Sequence, residues 1–281
     1  MTPSHALPQL PNLTVGDELP ASHATAHNPS TASDNLIHED ETAKRYGFRG
    51  GLVPGVIDYA YMAAPLAAAL GERWLTRGEA TVSLIHPLYE GEPATARARV
   101  TAVEPLSSGR RIVFDAWVEN PEGQRCAAGT ATVSDVDAAE SVEAPEYVAL
   151  DPGSPPEPRP ELLLESAPVG ALLARRVTAT TVETARQYAE MVEDANPLFQ
   201  AGSSYGPPLM HPGWLLGECN SIFTLNYRFG PWIHTRSDIQ YLGPALAGRI
   251  FTLHGRLTEA YERRLHHYAT LDLFCTDDTG K

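Results

Sequence analysis

Apolar and polar positions divide the first half of the chain into one helix and a series of strands. Residues 56–70 are apolar nearly all round, which predicts a helix that is enclosed on several sides. Four strand-like runs follow, at residues 79–85, 94–104, 111–119 and 126–134. The sequence Asn120-Pro-Glu-Gly123 predicts the turn between the last two strands.

The second half of the chain has the same order of elements. It predicts a helix over residues 214–227, strands over 235–241, 249–260 and 264–275, and a polar turn over 276–280. Thr180 and Glu183 form a capping-box pattern that predicts an additional helix over residues 182–193. Because the first half has one more strand, we expect an equivalent of residues 126–134 to follow Lys281.

Short sequence matches at a nearly constant offset indicate an internal duplication. Pro54-Gly55 opens the long helix of the first half, and Pro212-Gly213 lies 158 residues later; Gly91 and Gly248 are 157 residues apart. One helix followed by antiparallel strands, present twice, predicts an α+β double hot-dog fold. In this fold, antiparallel sheets wrap around central helices and join edge to edge.

Composition and charge then narrow the class of protein. The chain has 35 acidic and 21 basic residues and a formal charge of −14, which argues against binding to nucleic-acid backbones. Residues 135–161 contain eight acidic residues, six prolines and a single base, Arg159. We interpret this segment as an extended, exposed linker between an N-terminal repeat, 1–134, and a C-terminal repeat, 162–281. The alternative is a surface loop within one domain.

Other sequence signals point to a soluble protein of a reducing compartment. Three cysteines without C-x-x-C spacing predict neither a zinc site nor a disulfide framework. We expect no signal peptide, because the N-terminus lacks a charged segment followed by an apolar core, and the longest apolar run is too short to span a membrane. We therefore expect a cytoplasmic location, no membrane partner, and a homodimer as the candidate assembly.

The segment from Asp34 to Gly55 resembles the signature of the MaoC-like, (R)-specific enoyl-CoA hydratases. That signature reads D-x-N-P-x-H-x-D, then an alanine, Gly-Phe and a helix-opening glycine; here His38 and Gly47-Phe48 match it. The resemblance implies addition of water to a 2-enoyl thioester, or its removal from a 3-hydroxyacyl thioester. This chemistry needs a carboxylate and a histidine that move the proton of the water. It also needs a donor to the thioester oxygen, a role that the resemblance gives to the N–H of Gly55 or Gly213.

Both copies of the motif depart from the family pattern. In the first copy, Ser33 stands where the aspartate belongs and Asp34 comes one position late. In the second copy, Asp194 and Asn196 are kept, but Phe199 replaces the histidine. Each copy has therefore lost a different part of one active site.

Three interpretations of the first copy remain open. Asp34 and His38 form the site through a shifted backbone; or His38 works with another group, such as Ser33 or His27; or hydration chemistry is lost and the protein binds a ligand or catalyses another reaction. We do not expect His38 to combine with Asp194, because the two motifs of a double hot dog lie far apart.

The leading hypothesis is an acyl-thioester hydratase or dehydratase in which His38 is the acid/base, Asp34 orients the water and Gly55 polarises the carbonyl. No metal or redox cofactor is expected, and coenzyme A or an acyl carrier enters only as part of the substrate. The alternatives are a ligand-binding hot-dog protein, and an enzyme adapted to thioester hydrolysis or cyclisation. The candidate substrate-binding residues are Asn35, Ser33, Arg49, Asp194, Asn196, His211 and Gly213. Of these, Arg49 would contact coenzyme A phosphates.

Overall fold

A computed structural model describes residues 7–31, 33–136 and 142–280. The chain forms two compact units, and the first of them takes segments from both sequence repeats. The first contains residues 1–140, 182–214 and 231–247, and the second contains residues 141–181, 215–230 and 248–281. Part of the predicted linker, residues 137–141, lies outside the described residues, and so does Lys281.

The first unit is built on a six-stranded antiparallel sheet with the strand order β1-β3-β4-β5-β2-β7. Four of its strands match predicted runs of the first repeat, and β7 matches the run predicted at 235–241. Short β1 was not predicted. The bounds are β1 Ser22–Thr25, β2 Glu79–Leu84, β3 Pro93–Leu106, β4 Gly109–Glu119, β5 Arg125–Ser134 and β7 Arg236–Gln240.

Strand β7 carries a segment of the second repeat into the sheet of the first repeat. It pairs antiparallel with β2, with Glu79 opposite Gln240 and Ser83 opposite Arg236. The two repeats therefore meet edge to edge at the β2–β7 pair, as the double hot-dog prediction requires.

The long helix α2, Gly55–Arg77, runs through the first unit and is buried along most of its length. It ends seven residues beyond its predicted limit, because the chain continues past Gly71, which adopts a positive φ of 58° and interrupts the helical backbone. Trp74, in this last part, is completely buried. Asp58, in the first turn, is also buried, and burial raises its pKa well above the usual value. Burial therefore favours the neutral form of this acid, which lowers the cost of burying it.

Three shorter helices flank the two copies of the motif. The first, α1, covers Asp40–Arg45 and follows a single 3-10 turn at Leu36–His38. Helix α3, Val182–Met191, ends two residues before its predicted limit and buries Ala185 and Ala189. It is followed by the single-turn helix α4, Pro197–Gln200.

The second unit contains a three-stranded antiparallel sheet with the order β6-β8-β9. Strands β8, Ile250–Arg263, and β9, His266–Asp277, were predicted from the sequence, whereas β6, Leu172–Ala179, was not. The long helix α5, Pro212–Asn226, contributes Ile222 to a core with Leu173 and Leu253. Within the described residues no counterpart of β5 follows β9, so the strand expected after Lys281 stays a prediction.

Tyr147 is an exception to the predicted exposure of the acidic linker. It lies in a 3-10 turn, Glu146–Val148, and only 6% of its surface is exposed. The guanidinium of Arg256 lies 5.1 Å from the centre of its ring, and Arg175 donates to the carbonyl of Leu150 across 2.6 Å. The aromatic ring gains apolar burial and a cation–π contact, and both stabilise this position. Within the part of the chain that the structure describes, no helix has the length and apolar composition needed to cross a bilayer.

Candidate active site

The imidazole of His38 is held at the end of its 3-10 turn by two hydrogen bonds. Nδ1 donates to the carbonyl of Leu52 across 2.8 Å, and the side-chain amide of Asn35 lies 3.3 Å from Nε2. A carbonyl can only accept, so the proton of the neutral ring is on Nδ1 and Nε2 accepts from Asn35. Burial lowers the pKa of His38, against an opposing effect of the bond to Leu52. His38 is therefore a neutral imidazole with its basic nitrogen turned to an amide.

Asn35 owes its position to the backbone of Trp232. Its amide donates to the carbonyl of Trp232 across 3.0 Å, and its oxygen accepts the N–H of the same residue across 3.2 Å. These two bonds fix which side of the amide faces His38. Asn28, which the sequence did not single out, is buried and donates to the carbonyl of His38 across 3.0 Å.

The other groups that sequence reasoning offered to His38 have different neighbours. Asp34 is exposed, and the hydroxyl of Ser33 donates to the carbonyl of Asn35 across 3.3 Å. Nδ1 of His27 lies 3.2 Å from the carboxylate of Glu90. The structure thus places the amide of Asn35 at Nε2 of His38.

The second copy of the motif keeps its aspartate in a tightly bonded loop between α3 and α4. Oδ1 of Asp194 accepts the N–H of Asn196 across 2.9 Å. The side chain of Asn196 in turn accepts the N–H of Leu198 across 3.1 Å and caps α4. Both side chains are therefore oriented by backbone donors within the loop.

Asp194 has a histidine partner that its own motif does not supply. Nε2 of His211 lies 3.2 Å from Oδ2 of Asp194, and Nδ1 of His211 accepts the N–H of Gly213 across 3.1 Å. The proton of the neutral imidazole is therefore on Nε2 and is donated to the carboxylate. The side chain of His211 is completely buried and that of Asp194 is 9% exposed.

Phe199, which stands in the place of the motif histidine, packs directly against His211. The ring centres of Phe199 and His211 are 4.6 Å apart, and Tyr188 lies on the ring of His211 with a separation of 5.4 Å. Sequence reasoning singled out both Asp194 and His211 but did not pair them, because the pattern at hand assigns the histidine to position 199.

Equivalent backbone hydrogen bonds fix how the two repeats correspond. In the first repeat the N–H groups of Leu52 and Val53 bond to Ile37 and Leu88, and in the second those of Leu209 and Met210 bond to Leu198 and Ala245. The structural offset at this point is therefore 157 residues, one fewer than the match of the two Pro-Gly pairs indicates. The acceptors Ile37 and Leu198 are 161 residues apart, and this second offset matches Ser33, not Asp34, with Asp194.

This correspondence pairs Gly55 with Pro212 instead of Gly213. Helix α2 begins at Gly55 and helix α5 begins at Pro212. Gly55 keeps its backbone N–H in a first helical turn, where no intrahelical acceptor exists. Proline has no N–H, and the next donor, the N–H of Gly213, is bonded to His211. In this structure the N–H of Gly213 orients His211, and the role of Gly213 as the donor to the thioester oxygen stays a prediction.

A cavity of about 570 Å³ in the first unit opens beside Asp194. Asp194, Asn196 and Glu193 contribute polar groups to its lining. Residues of α2 and β3 with small or absent side chains also line it: Ala64, Ala67, Ala68, Gly71, Ala94 and Ala96. The arrangement therefore combines a carboxylate–imidazole pair with a largely apolar space.

Arg49 is engaged by a neighbouring acid. It forms an ion pair with Glu92, which raises the pKa of the guanidinium, and it lies 4.2 Å from the centre of the Tyr89 ring. A contact of Arg49 with coenzyme A phosphates stays a prediction, and it requires exchange of this partner. The described residues contain no group of three or more His, Cys, Asp or Glu side chains arranged to hold a metal ion.

Comparison with known proteins identifies the fold. No protein-family model and no curated protein sequence matches the chain. A proposed MaoC domain dehydratase from Chloroflexus aurantiacus J-10-fl has a similar structure, with a TM-score of 0.71 and 11% identity over 95% of this chain and 88% of that one. A conserved hypothetical protein of Mycobacterium tuberculosis with a double hot-dog fold gives a TM-score of 0.65 and 12% identity, over 95% of this chain and 91% of that one. A MaoC-like dehydratase gives a TM-score of 0.57 and 14% identity, over 93% and 97% of the respective chains. The chain therefore has the predicted α+β double hot-dog fold, which it shares with MaoC-like dehydratases.

Proposed function

We propose that the protein is a hydratase or dehydratase of acyl thioesters, and that Asp194 and His211 carry the proton transfer. The observation that supports this most strongly is the 3.2 Å contact between a buried imidazole and a carboxylate on the wall of a cavity. Addition of water to an enoyl thioester needs a positioned base and room for an acyl chain. The proposal transfers the predicted reaction from the first copy of the motif to the second.

Asp194 would be the group that contacts the reacting water. Each of its oxygens accepts one bond, from Asn196 or from His211, and each retains a further lone pair. In hydration, the oxygen of the water would attack C3 of the enoyl thioester while Asp194 takes a proton from that water. A proton would then be returned to C2. Dehydration reverses these steps. Proton transfer of this kind needs no metal or redox cofactor.

His211 would act as a positioning residue, because both of its nitrogens are occupied. The N–H of Gly213 fixes the tautomer, and the proton on Nε2 then orients Asp194. His211 therefore holds the Asp194 carboxylate in place for its contact with the reacting water.

Asn196 is our candidate donor to the thioester oxygen in the second copy. The start of α5 offers no N–H at Pro212, so polarisation of the carbonyl requires another group. The oxygen of Asn196 is bonded to Leu198, which leaves the amide NH₂ as the part of the side chain that can donate. Asn196 and Asp194 line the same cavity.

Two competing assignments are tested alongside this one. The first places the same reaction at His38 with Asp34 and Gly55, where an imidazole and a helix-start N–H are retained. The second is a ligand-binding protein without turnover, which the loss of the N–H at Pro212 favours. In either case the ligand is an acyl thioester, carried by coenzyme A or by an acyl carrier protein.

The reaction class can be tested with the wild-type protein. A panel of 2-enoyl thioesters of increasing acyl size, on coenzyme A and on an acyl carrier protein, is incubated in ¹⁸O-labelled water and analysed by mass spectrometry. The proposal expects a 3-hydroxyacyl thioester with one ¹⁸O atom at C3 and the thioester intact. Release of the free thiol would indicate hydrolysis instead, and tight binding without conversion would support the ligand-binding assignment.

A further inference from the structure

Glu193, the residue before Asp194, has a backbone conformation that normally belongs to glycine. Its φ is 53°, in the left-handed region. The N–H of Glu193 bonds to Glu190 across 3.1 Å, and the N–H of Asp194 bonds to Ala189 across 2.8 Å, so the pair closes α3 with a left-handed residue. Glycine is favoured at this position because a Cβ atom raises the energy of the left-handed backbone. The energetic cost of the left-handed backbone therefore falls on the residue next to Asp194, the proposed base.

The side chain of Glu193 makes a contact that glycine could not make. Oε2 of Glu193 accepts the N–H of Thr25 across 3.1 Å, at the end of strand β1. The carbonyl of Thr25 accepts the hydroxyl of Tyr61 across 3.2 Å. Both backbone groups of Thr25 are thus engaged, and the loop that carries Asp194 is tied to the edge strand of the first repeat. Glu193 and Tyr61 also line the cavity beside Asp194.

We infer that Glu193 is a positioning residue that ties the Asp194 loop to β1 and so aims the Asp194 carboxylate into the cavity. The inference rests on the proposed function of Asp194. The φ and ψ angles of Glu193 set the direction in which the next residue leaves α3. The hydrogen bond to Thr25 holds that direction against relaxation. Displacement of a catalytic group by about 1 Å can lower the rate by about a hundredfold, so a tie of this kind has a measurable effect.

Two substitutions separate this role from a purely structural one. Glu193→Gly removes the acceptor and relieves the backbone strain, whereas Glu193→Gln keeps an acceptor oxygen. We expect Glu193→Gly to unfold at the same temperature as the wild type or higher, while its kcat falls by about tenfold or more and its KM changes by less than about twofold. Glu193→Gln is expected to retain most of the wild-type kcat.

Arg264→Gly provides a matched control for the strain. Arg264 has a φ of 52° and lies in the turn between β8 and β9. Replacing it with glycine relieves a left-handed residue without touching the Asp194 loop. We expect a stability gain and an unchanged kcat.

A second measurement does not depend on turnover. The imidazole N–H of His211 that is donated to Asp194 is followed by proton NMR in the wild type, Glu193→Gly and Glu193→Gln. We expect the resonance to shift or broaden in Glu193→Gly and to be preserved in Glu193→Gln. A wild type that is inactive on every thioester contradicts the proposed function, and the NMR comparison then decides this inference alone. An unchanged His211 resonance, or an unchanged kcat, in Glu193→Gly overturns it.

Discussion

Pro212 begins the second long helix at the position where Gly55 begins the first. The difference removes a backbone donor from one repeat, while the other repeat has Ser33 in the place of Asp194. The first repeat therefore keeps a helix-start N–H without a motif carboxylate, and the second keeps a carboxylate and gains His211.

Gly55→Ala should destabilise the protein, because a Cβ atom at this position would lie 2.0 Å from Cδ1 of Leu84. We expect a loss of about 1–3 kcal/mol in the free energy of unfolding, measured by denaturant titration. In a Leu84→Ala background, Gly55→Ala should lower the free energy of unfolding by less than it does in the wild type. Gly217→Ala is the control, since nothing lies within 4 Å of its added Cβ and alanine favours the helix. A Gly55→Ala variant as stable as the wild type would contradict the close approach.

Tyr188→Phe should leave the protein at least as stable as the wild type. The Tyr188 hydroxyl is buried and, among the described residues, has no hydrogen-bond partner, so its removal ends a desolvation cost of about 1 kcal/mol or more. Tyr59→Phe is the matched control: the hydroxyl of Tyr59 is bonded to that of Tyr241, which the variant would leave unpaired. Thermal unfolding should rank Tyr188→Phe above Tyr59→Phe, and the reverse order would show that Tyr188 has a partner.

Stability should fall when the pH decreases below the ordinary histidine value of 6.5. Burial lowers the pKa of His38, His234 and His254 in the folded protein, so the unfolded chain binds protons first. Their contribution is complete above 6.5 and is lost as the pH falls through the folded-state values. We expect His234→Gln to narrow the difference in unfolding temperature between about pH 7.5 and about pH 5.5. The exposed His266→Gln should leave it unchanged, and an equal effect of both variants would refute the assignment.

Local patterns in the sequence were sufficient for most of the fold. The strand-like run predicted at residues 126–134 matches β5 within one residue at its start, and the turn before it, Asn120–Gly123, needs no distant contact to be predicted. Strands β1 and β6 were not predicted, because they are stabilised by pairing with β3 and β8 and lack a strong local sequence pattern. Helix α2 exceeded its predicted end because Trp74 gains burial beyond the break at Gly71.

The candidate site was only partly predictable, since it depends on contacts between distant residues. Asp194 and His211 were each identified, but a motif gives no reason to pair residues 17 positions apart when the expected histidine is replaced by Phe199. The correspondence of Gly55 with Pro212 was also hidden, because two Pro-Gly pairs match better as letters than the backbone hydrogen bonds allow. Tertiary packing pairs Asp194 with His211, and register matches Gly55 with Pro212. Short-range sequence patterns predict neither.

We propose that the second repeat, through Asp194, performs the proton transfer. The most direct test is kcat on the best enoyl thioester for Asp194→Asn and His38→Ala, with circular dichroism confirming that both variants fold. We predict that Asp194→Asn loses about a hundredfold or more, in line with the contribution of a general base, while His38→Ala stays within about tenfold of the wild type. A severe loss in His38→Ala together with near-normal turnover in Asp194→Asn would contradict the account and return the reaction to the first repeat.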